Sequence, residues 1–263
     1  MSKIKKNIFV ENAAIVDISS EGKSVAKVDG MVIFVDGGVP GDVADVMITR
    51  KKNSYAEGHI TAIKSPSVNR AEPACEHFGH CGGCKWQNMN YETQLSFKHK
   101  TVADALTRIG KLDISTMKPI FPNKETYFYR NKLEFSFSDK KWLTNEEIKS
   151  GEEIDNRNGL GFHIPGMFDK ILDIKNCYLQ QEPSNTIRNE IRDFALKHDF
   201  TFFNVRNKHG LLRTLMIRSS SNGELMVIVQ FFEDQPENIK LLLNHLKNTF
   251  PTITSLQYAI NPK

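Results

Sequence analysis

Three cysteines fall within ten residues, Cys75, Cys81 and Cys84, spaced C-x5-C-x2-C around Gly82-Gly83, and a fourth, Cys177, stands far along the chain. A loop of that spacing turns three thiolates toward one centre, and the glycines let the backbone fold tightly around it. Lone cysteines are commonly buried structural residues; three around a Gly-Gly turn read as a metal site. A ligand from position 177 would clamp two distant stretches together, so the site would contribute folding free energy outright. Soft thiolates suit zinc and iron–sulfur clusters alike, and His77 with His80 offers a Cys3His zinc site that needs no Cys177. The opening Met1-Ser-Lys-Ile-Lys-Lys6 is basic with no apolar run behind it, because Glu11, Asn12 and Asp17 interrupt any such stretch. Without a secretion signal, four cysteines argue for metal binding or catalysis rather than a disulfide framework, and for a cytoplasmic protein.

The 263 residues suffice for roughly two domains. Hydrophobic residues make up 40% and charged residues 25%, a globular composition. No apolar run approaches the roughly 20 residues of a membrane-spanning helix. The 35 Lys and Arg against 31 acids give a net charge of +4, which permits a polyanionic partner without requiring one. Residues 85–118 hold six basic residues against three acidic ones, so a nucleic-acid footprint would include them.

Residues 10–64 are short β-like runs punctuated by turn dipeptides, and they predict five strands closing into a small all-β barrel without exposed edges. Asp29-Gly30 is a two-residue hairpin signal, since a type I′ turn needs positive φ at both central positions. Spacing alone does not separate an SH3-like structural barrel from an oligonucleotide-binding (OB-like) one. After a linker at Ser65-Pro66-Ser67 and the cysteines, a helix is predicted over about 90–109, with Tyr91, Leu95, Val102, Leu106 and Ile109 as its core face and Gly110 as its stop. From 126 to 260 the pattern predicts an α+β domain with a mainly antiparallel sheet. Thr126–Ser138 alternates, with Tyr127, Tyr129, Asn131, Leu133, Phe135 and Phe137 on one face and Phe128, Arg130, Lys132, Glu134 and Ser136 on the other, one face buried and one charged. Strands are predicted at Leu211–Arg218, Glu224–Phe232 and Thr254–Ile260. Helices are predicted after a Ser184 cap and after Asp234 with Glu237 three residues on.

The segment Cys75-Glu-His-Phe-Gly-His-Cys81-Gly-Gly-Cys84-Lys-Trp-Gln87, with Tyr91, Gln94-Leu95, Lys98 and Val102–Ile109 behind it, resembles the iron–sulfur segment of the RNA uridine-C5 methyltransferases that make 5-methyluridine in 23S ribosomal RNA. The barrel resembles their TRAM domain, including the Pro40-Gly41-Asp42 turn and the Ser67-x-x-Arg70 exit. Tyr129-Arg130-Asn131-Lys132, Gly161-Phe-His163, Cys177 and Leu212-Arg213 are similar to their central domain. The resemblance covers essentially the whole chain. It implies a TRAM-like RNA-binding barrel over 1–66 and an iron–sulfur central α+β domain over 67–263. It further implies Cys75, Cys81, Cys84 and Cys177 as ligands of a four-iron cluster of structural or RNA-positioning role, 23S rRNA (or tRNA) as partner, no membrane association, and a monomer.

The reaction the resemblance implies adds a cysteine thiolate to uracil C6, so that C5 attacks the methyl of S-adenosylmethionine; a base then removes the C5 proton and the enzyme is eliminated. All four cysteines are already assigned to the metal. The cofactor needs a Gly-rich strand-to-helix turn. Gly37-Gly38-Val-Pro-Gly41 sits inside the barrel, and Gly159-Leu-Gly161-Phe-His-Ile164 leads into strand-like sequence. The chain therefore reads as the amino-terminal part of such an enzyme, without its S-adenosylmethionine-binding domain and unable to transfer methyl groups by itself. Phosphate contacts are expected from Lys51, Lys52, Lys98, Arg130, Lys132, Arg213 and Arg218, with Phe128 stacking a base. His80 and His163 are given no catalytic role. The alternatives are a free-standing RNA-binding metalloprotein and a zinc-stabilised interaction module.

Overall fold

The computed structural model describes residues 8–263; the basic opening Met1–Lys6 lies outside them. The chain forms two compact units, one of residues up to Ala74 together with Cys84–Lys124, the other of Cys75–Gly83 together with Glu125–Lys263. The polypeptide thus passes between units more than once, where the resemblance implies a single boundary at 66/67. No helix among the described residues is long and apolar enough to cross a membrane.

In the first unit β1 (Ile8–Ile18), β2 (Ser24–Val28), β3 (Met31–Asp36), β4 (Val43–Lys51) and β5 (Tyr55–Ser65) close into a barrel in the order β1-β2-β3-β5-β4. Five strands are what the turn dipeptides predict. Asp29 and Gly30 both take positive φ, 49° and 77°, as the β2–β3 hairpin requires. Inward positions carry small or β-branched side chains, Ala13, Ile15, Ala26, Ile33, Val35, Val46 and Ala56, which fill a narrow barrel without strain. The barrel exit is tied by one carboxylate. Buried Asp42 accepts from the Val39 and Ser67 N–H groups at 2.7 and 2.8 Å and takes the Arg70 guanidinium in a bidentate pair at 2.8 and 2.7 Å. The Ser67 hydroxyl donates to Pro40 O at 2.7 Å.

After the barrel α1 (Tyr91–Asp104) starts at Asn90, whose side chain accepts the Thr93 N–H, and it continues into a π-helical turn over Ala105–Ile109. It differs from the predicted helix in its packing face. No residue of α1 is fully buried; Val102 is 50% and Ile109 84% exposed. Phe97, off the predicted stripe, instead packs with Trp86 on Ile18, Val39 and Met89. The reason lies outside the helix. Trp86 Nε1 donates to Gly22 O at 3.0 Å and Lys100 Nζ meets Asp17 at 2.9 Å, and these ties rotate the helix away from the orientation its apolar repeat suggests.

The second unit is a six-stranded sheet in the order β11-β10-β9-β6-β7-β8, formed by β6 (Lys132–Ser138), β7 (Gly159–Ile164), β8 (Met167–Asp173), β9 (Leu212–Ser219), β10 (Leu225–Phe231) and β11 (Ser255–Ile260). The sheet is mixed, where a mainly antiparallel one was expected. β11 enters parallel to β10, because α4 (Pro236–Thr249) supplies the crossover that a parallel neighbour needs. The remaining pairings, including β6 between β7 and β9, are antiparallel. α2 (Asn145–Ser150) has no counterpart in the sequence prediction, and β7 occupies a stretch read as a turn, with β8 the strand-like sequence beyond it. α3 (Ser184–Lys197) and α4 bury Ile187, Ile191, Ala195, Ile239, Leu242 and Leu246. The capping reading fails at both helices. Ser184 is already helical and donates to Gln180 Oε1, while Gln235, not Asp234, precedes α4, whose start is fixed by Pro236.

Removing the charge of Asp42 while leaving Arg70 in place breaks a buried pair, so Asp42→Asn is expected to cost the barrel about 3 kcal/mol. Urea unfolding followed by Trp86 fluorescence in a Trp142→Phe background checks this; an unchanged midpoint refutes it.

Candidate nucleic-acid face and sulfur site

Within the second unit, the loop Cys75–Gly83 is folded on itself: Phe78 N donates to Cys75 O at 3.0 Å, Cys81 N to His77 O at 2.9 Å, and Gly83 N to the Cys81 sulfur at 3.3 Å. Two bonds fasten it to the sheet region. Gly82 N donates to His163 O at 3.1 Å, and a Cβ at Gly82 would lie 2.6 Å from that oxygen, so only glycine allows the approach. His77 Nε2 accepts the Lys175 N–H at 3.0 Å. Burial lowers the His77 pKa, against the opposing charge of Glu76. With Nε2 engaged by a backbone donor, that nitrogen does not serve the Cys3His zinc alternative.

Two residues after Lys175 comes buried Cys177, whose N–H donates to Asn185 Oδ1 at 2.8 Å and whose carbonyl accepts from Asn185 Nδ2 at 3.2 Å. Cys84 is half-buried and opens the returning stretch of the first unit. Among the described residues no group of three or more His, Cys, Asp and Glu side chains stands arranged to hold a metal ion. The expected four-sulfur cage is therefore not preassembled there.

The cations differ in their surroundings. Lys51 ends β4 and Lys52 follows it at the β4–β5 hairpin, both exposed. Lys98 Nζ sits over the Trp86 ring, 5.9 Å from its centroid. Lys132 on β6 and Arg218 on β9 are direct cross-strand partners, both exposed. Like charges directly opposite on a sheet repel, so this pair gains from an anion set between them. The same face carries half-buried Met216, Met226 and Ile228, whereas Leu133, Phe135, Leu215, Ile217, Val227 and Val229 are buried on the other. His163 Nε2 lies 3.4 Å from Ser136 Oγ, a contact that asks for no catalytic role.

Three expected positions change character. β6 begins only at Lys132, because Phe128 takes a left-handed φ of 55° and breaks the alternation predicted from Thr126. Phe128 N and Arg130 N donate instead to Tyr178 O and Leu179 O, at 2.7 and 2.8 Å, and both side chains remain exposed. Arg213 is not an outward-facing cation: it lies over the Phe203 and Phe232 rings, 5.1 and 6.0 Å from their centroids, and donates to Asn261 O. The glycines Gly159 and Gly161, read from the sequence as part of a turn, lie within strand β7.

Sequence reasoning missed Asn185 and Arg188 on α3. Arg188 follows Ile187 in the apolar repeat and reads locally as a flanking surface cation, yet it is fully buried. Only tertiary packing reveals it.

Residues 10–61 match the TRAM domain family. A relative from Bacteroides thetaiotaomicron, named an uncharacterized RNA methyltransferase, is 51% identical over 249 residues, which cover 94% of this chain and 55% of that protein. One of the same name from Porphyromonas gingivalis is 48% identical over 257 residues, covering 95% and 55%. The chain spans about half the length of the curated relatives it matches. The crystal structure of Pyrococcus abyssi tRNA (uracil-54, C5)-methyltransferase in complex with S-adenosyl-L-homocysteine shares the fold, with a TM-score of 0.63 over 96% of this chain and 52% of that one at 20% identity.

Proposed function

We propose that these residues form the RNA-recognition portion of an S-adenosylmethionine-dependent RNA uracil-C5 methyltransferase acting in the cytoplasm. The observation that carries RNA binding is the Lys132–Arg218 pair, two exposed cations held opposite each other on one face of a sheet that also carries Glu134. The TRAM match at the barrel and the RNA methyltransferase names of the relatives support the same partner. Lys51, Lys52, Lys98 and Arg130 extend the phosphate contacts, and exposed Phe128 offers a ring on which a base can stack. Uracil C5 as the reacting atom rests on the resemblance of the cysteine segment and on the name of the enzyme that shares the fold. That segment resembles the 23S rRNA enzymes, which puts ribosomal RNA before transfer RNA.

The same reading assigns Cys75, Cys81, Cys84 and Cys177 to an iron–sulfur cluster. The donors fit by chemistry, since four thiolates are the usual ligands of such a cluster. The fastening of the Cys75–Gly83 loop to His163 and Lys175 supports the participation of Cys177. When bound, the cluster supplies cross-linking and negative charge; uracil methylation needs no electron from it. The chain is expected to bind RNA.

Lys132→Glu with Arg218→Glu should weaken RNA binding and flatten the log–log dependence of affinity on salt by about 1.4 for a single-stranded ligand. Fluorescence anisotropy across a salt series with a uridine-containing RNA reads this, and an unchanged slope counts against the face. Anaerobically purified chain should carry about four iron and four sulfide ions with thiolate-to-iron absorption in the visible. Zinc in their place supports the zinc-stabilised module, and no metal at all refutes the sulfur site.

A further inference from the structure

The stretch Phe200–Leu211 contains no acidic residue, and at its centre Arg206, Lys208 and His209 fall close together. The segment turns on Asn204, a buried residue whose Nδ2 donates to Asp139 Oδ2 at 2.7 Å and whose Oδ1 accepts the Arg206 and Asn207 N–H groups at 3.0 and 2.9 Å. The backbone closes the turn: Asn204 N donates to His209 O and Lys208 N to Asn204 O, both at 2.8 Å, with Lys208 at a left-handed φ of 52°. Every residue from Val205 to His209 is exposed. The turn is therefore tied at its base and presents a cationic tip.

This turn meets the start of β8. Phe168 there is 62% exposed, and the Arg206 guanidinium lies over its ring, 5.2 Å from the centroid. Arg206 Nε donates at 2.5 Å to Oδ2 of Asp169, which is buried. That bond orients the guanidinium, and its two Nη groups have no hydrogen-bond partner among the described residues. One face of the Phe168 ring is taken by the guanidinium, and the other is open to solvent. The charges favour an anion here: Arg206, Lys208 and the flanking Lys140 and Lys170 stand against Asp139 and Asp169, of which the first is bonded to Asn204 and the second to Arg206. A single exposed apolar side chain is ordinary. A ring with an oriented guanidinium against it and a cationic turn beside it is the combination that stacks an unpaired base and holds its backbone.

We propose that Phe168, Arg206 and Lys208 form a further contact for single-stranded RNA, apart from the Lys132–Arg218 pair, in which a base stacks on the open face of Phe168 while the Arg206 fork and the Lys208 ammonium hold a phosphate next to it. The proposal rests on the RNA-binding reading above and adds to it a place where a base, and not the backbone alone, is held. Asp169 and Asn204 have already ordered the groups involved, so binding loses little side-chain and loop freedom at this contact. The planar fork matches two phosphate oxygens at once, which an ammonium in its place does not. Stacking tolerates any base, so the contact secures an unpaired nucleotide without selecting its identity.

The test uses the full chain as wild type, Phe168→Leu, Phe168→Trp, Arg206→Lys and Lys208→Gln. Affinity for a uridine-containing single strand is read by fluorescence anisotropy across a salt series, and stacking by the quenching of a fluorescent adenine analogue placed in turn along the strand. Phe168→Leu keeps apolar bulk but removes the aromatic face, so it is expected to bind roughly 5–150-fold more weakly and to relieve the quenching at one position. Phe168→Trp should restore both, which a packing role alone would not require. Lys208→Gln should flatten the log–log salt dependence by about 0.7, and Arg206→Lys should weaken binding with the slope unchanged, because the charge stays and the fork is lost. A wild-type chain that binds no RNA removes the RNA-binding reading and this proposal with it. A wild-type chain that binds RNA, with the same affinity, slope and quenching in Phe168→Leu and Lys208→Gln, overturns this proposal alone. A wild-type dimer that Phe168→Leu converts to a monomer at unchanged RNA affinity gives the patch to a second copy of the chain and likewise overturns it.

Discussion

The register of β6 sets which side chains stand on each face of the second unit's sheet. Side chains along a strand alternate strictly, so a slip of one residue would exchange its two faces. In the register found, Lys132 stands opposite Arg218 on the open face, while Phe135 points to the covered face and carries the Arg188 guanidinium. β6 lies between β9 and β7, so the same main-chain hydrogen bonds fix the Lys132–Arg218 pair on one face and the Phe135–Arg188 contact on the other. Leu133, Phe135 and Phe137, all buried, hold that register through apolar burial.

The barrel solves a different problem. Its closure leaves no exposed edge, but the chain must still leave it in a defined direction. Asp42 does this with one side chain by gathering the β3–β4 turn, the Ser67 N–H and Arg70. The stretch that follows the cysteines is then stitched to the β1–β2 turn and the β3–β4 connection through Trp86 and Asn88, whose side chains donate to Gly22 O and Gly37 O at 3.0 Å each.

What could be seen in the sequence follows from how local each cause is. The β2–β3 hairpin was legible because two adjacent residues, Asp29 and Gly30, carry the whole signal. The alternation of 132–138 was legible because its faces differ sharply in polarity, and the strands of the hairpin β9–β10 lie within a residue or so of their predicted limits. The beginning of β6 was not, since Phe128 adopts a left-handed conformation fixed by a partner at Tyr178. The packing face of α1 was misread for the same kind of reason: Phe97 is chosen by Trp86 and Met89, not by the helix's own repeat. At the site, the cysteine spacing was visible, but the anchors of its loop at His163 and Lys175, and the burial of Arg188, arise from residues far apart in sequence and leave no local trace.

The excursion of residues 75–83 into the second unit has a consequence for the order of events during synthesis. Cys75 and Cys81 are translated well ahead of His163 and Lys175, to which their loop is fastened. At roughly 5–20 residues per second the ribosome needs on the order of 5–20 s to make the intervening stretch. For that interval the nascent thiols are on their own, and whatever reaches them first, an oxidant or a metal carrier, does so before the fold can shelter them.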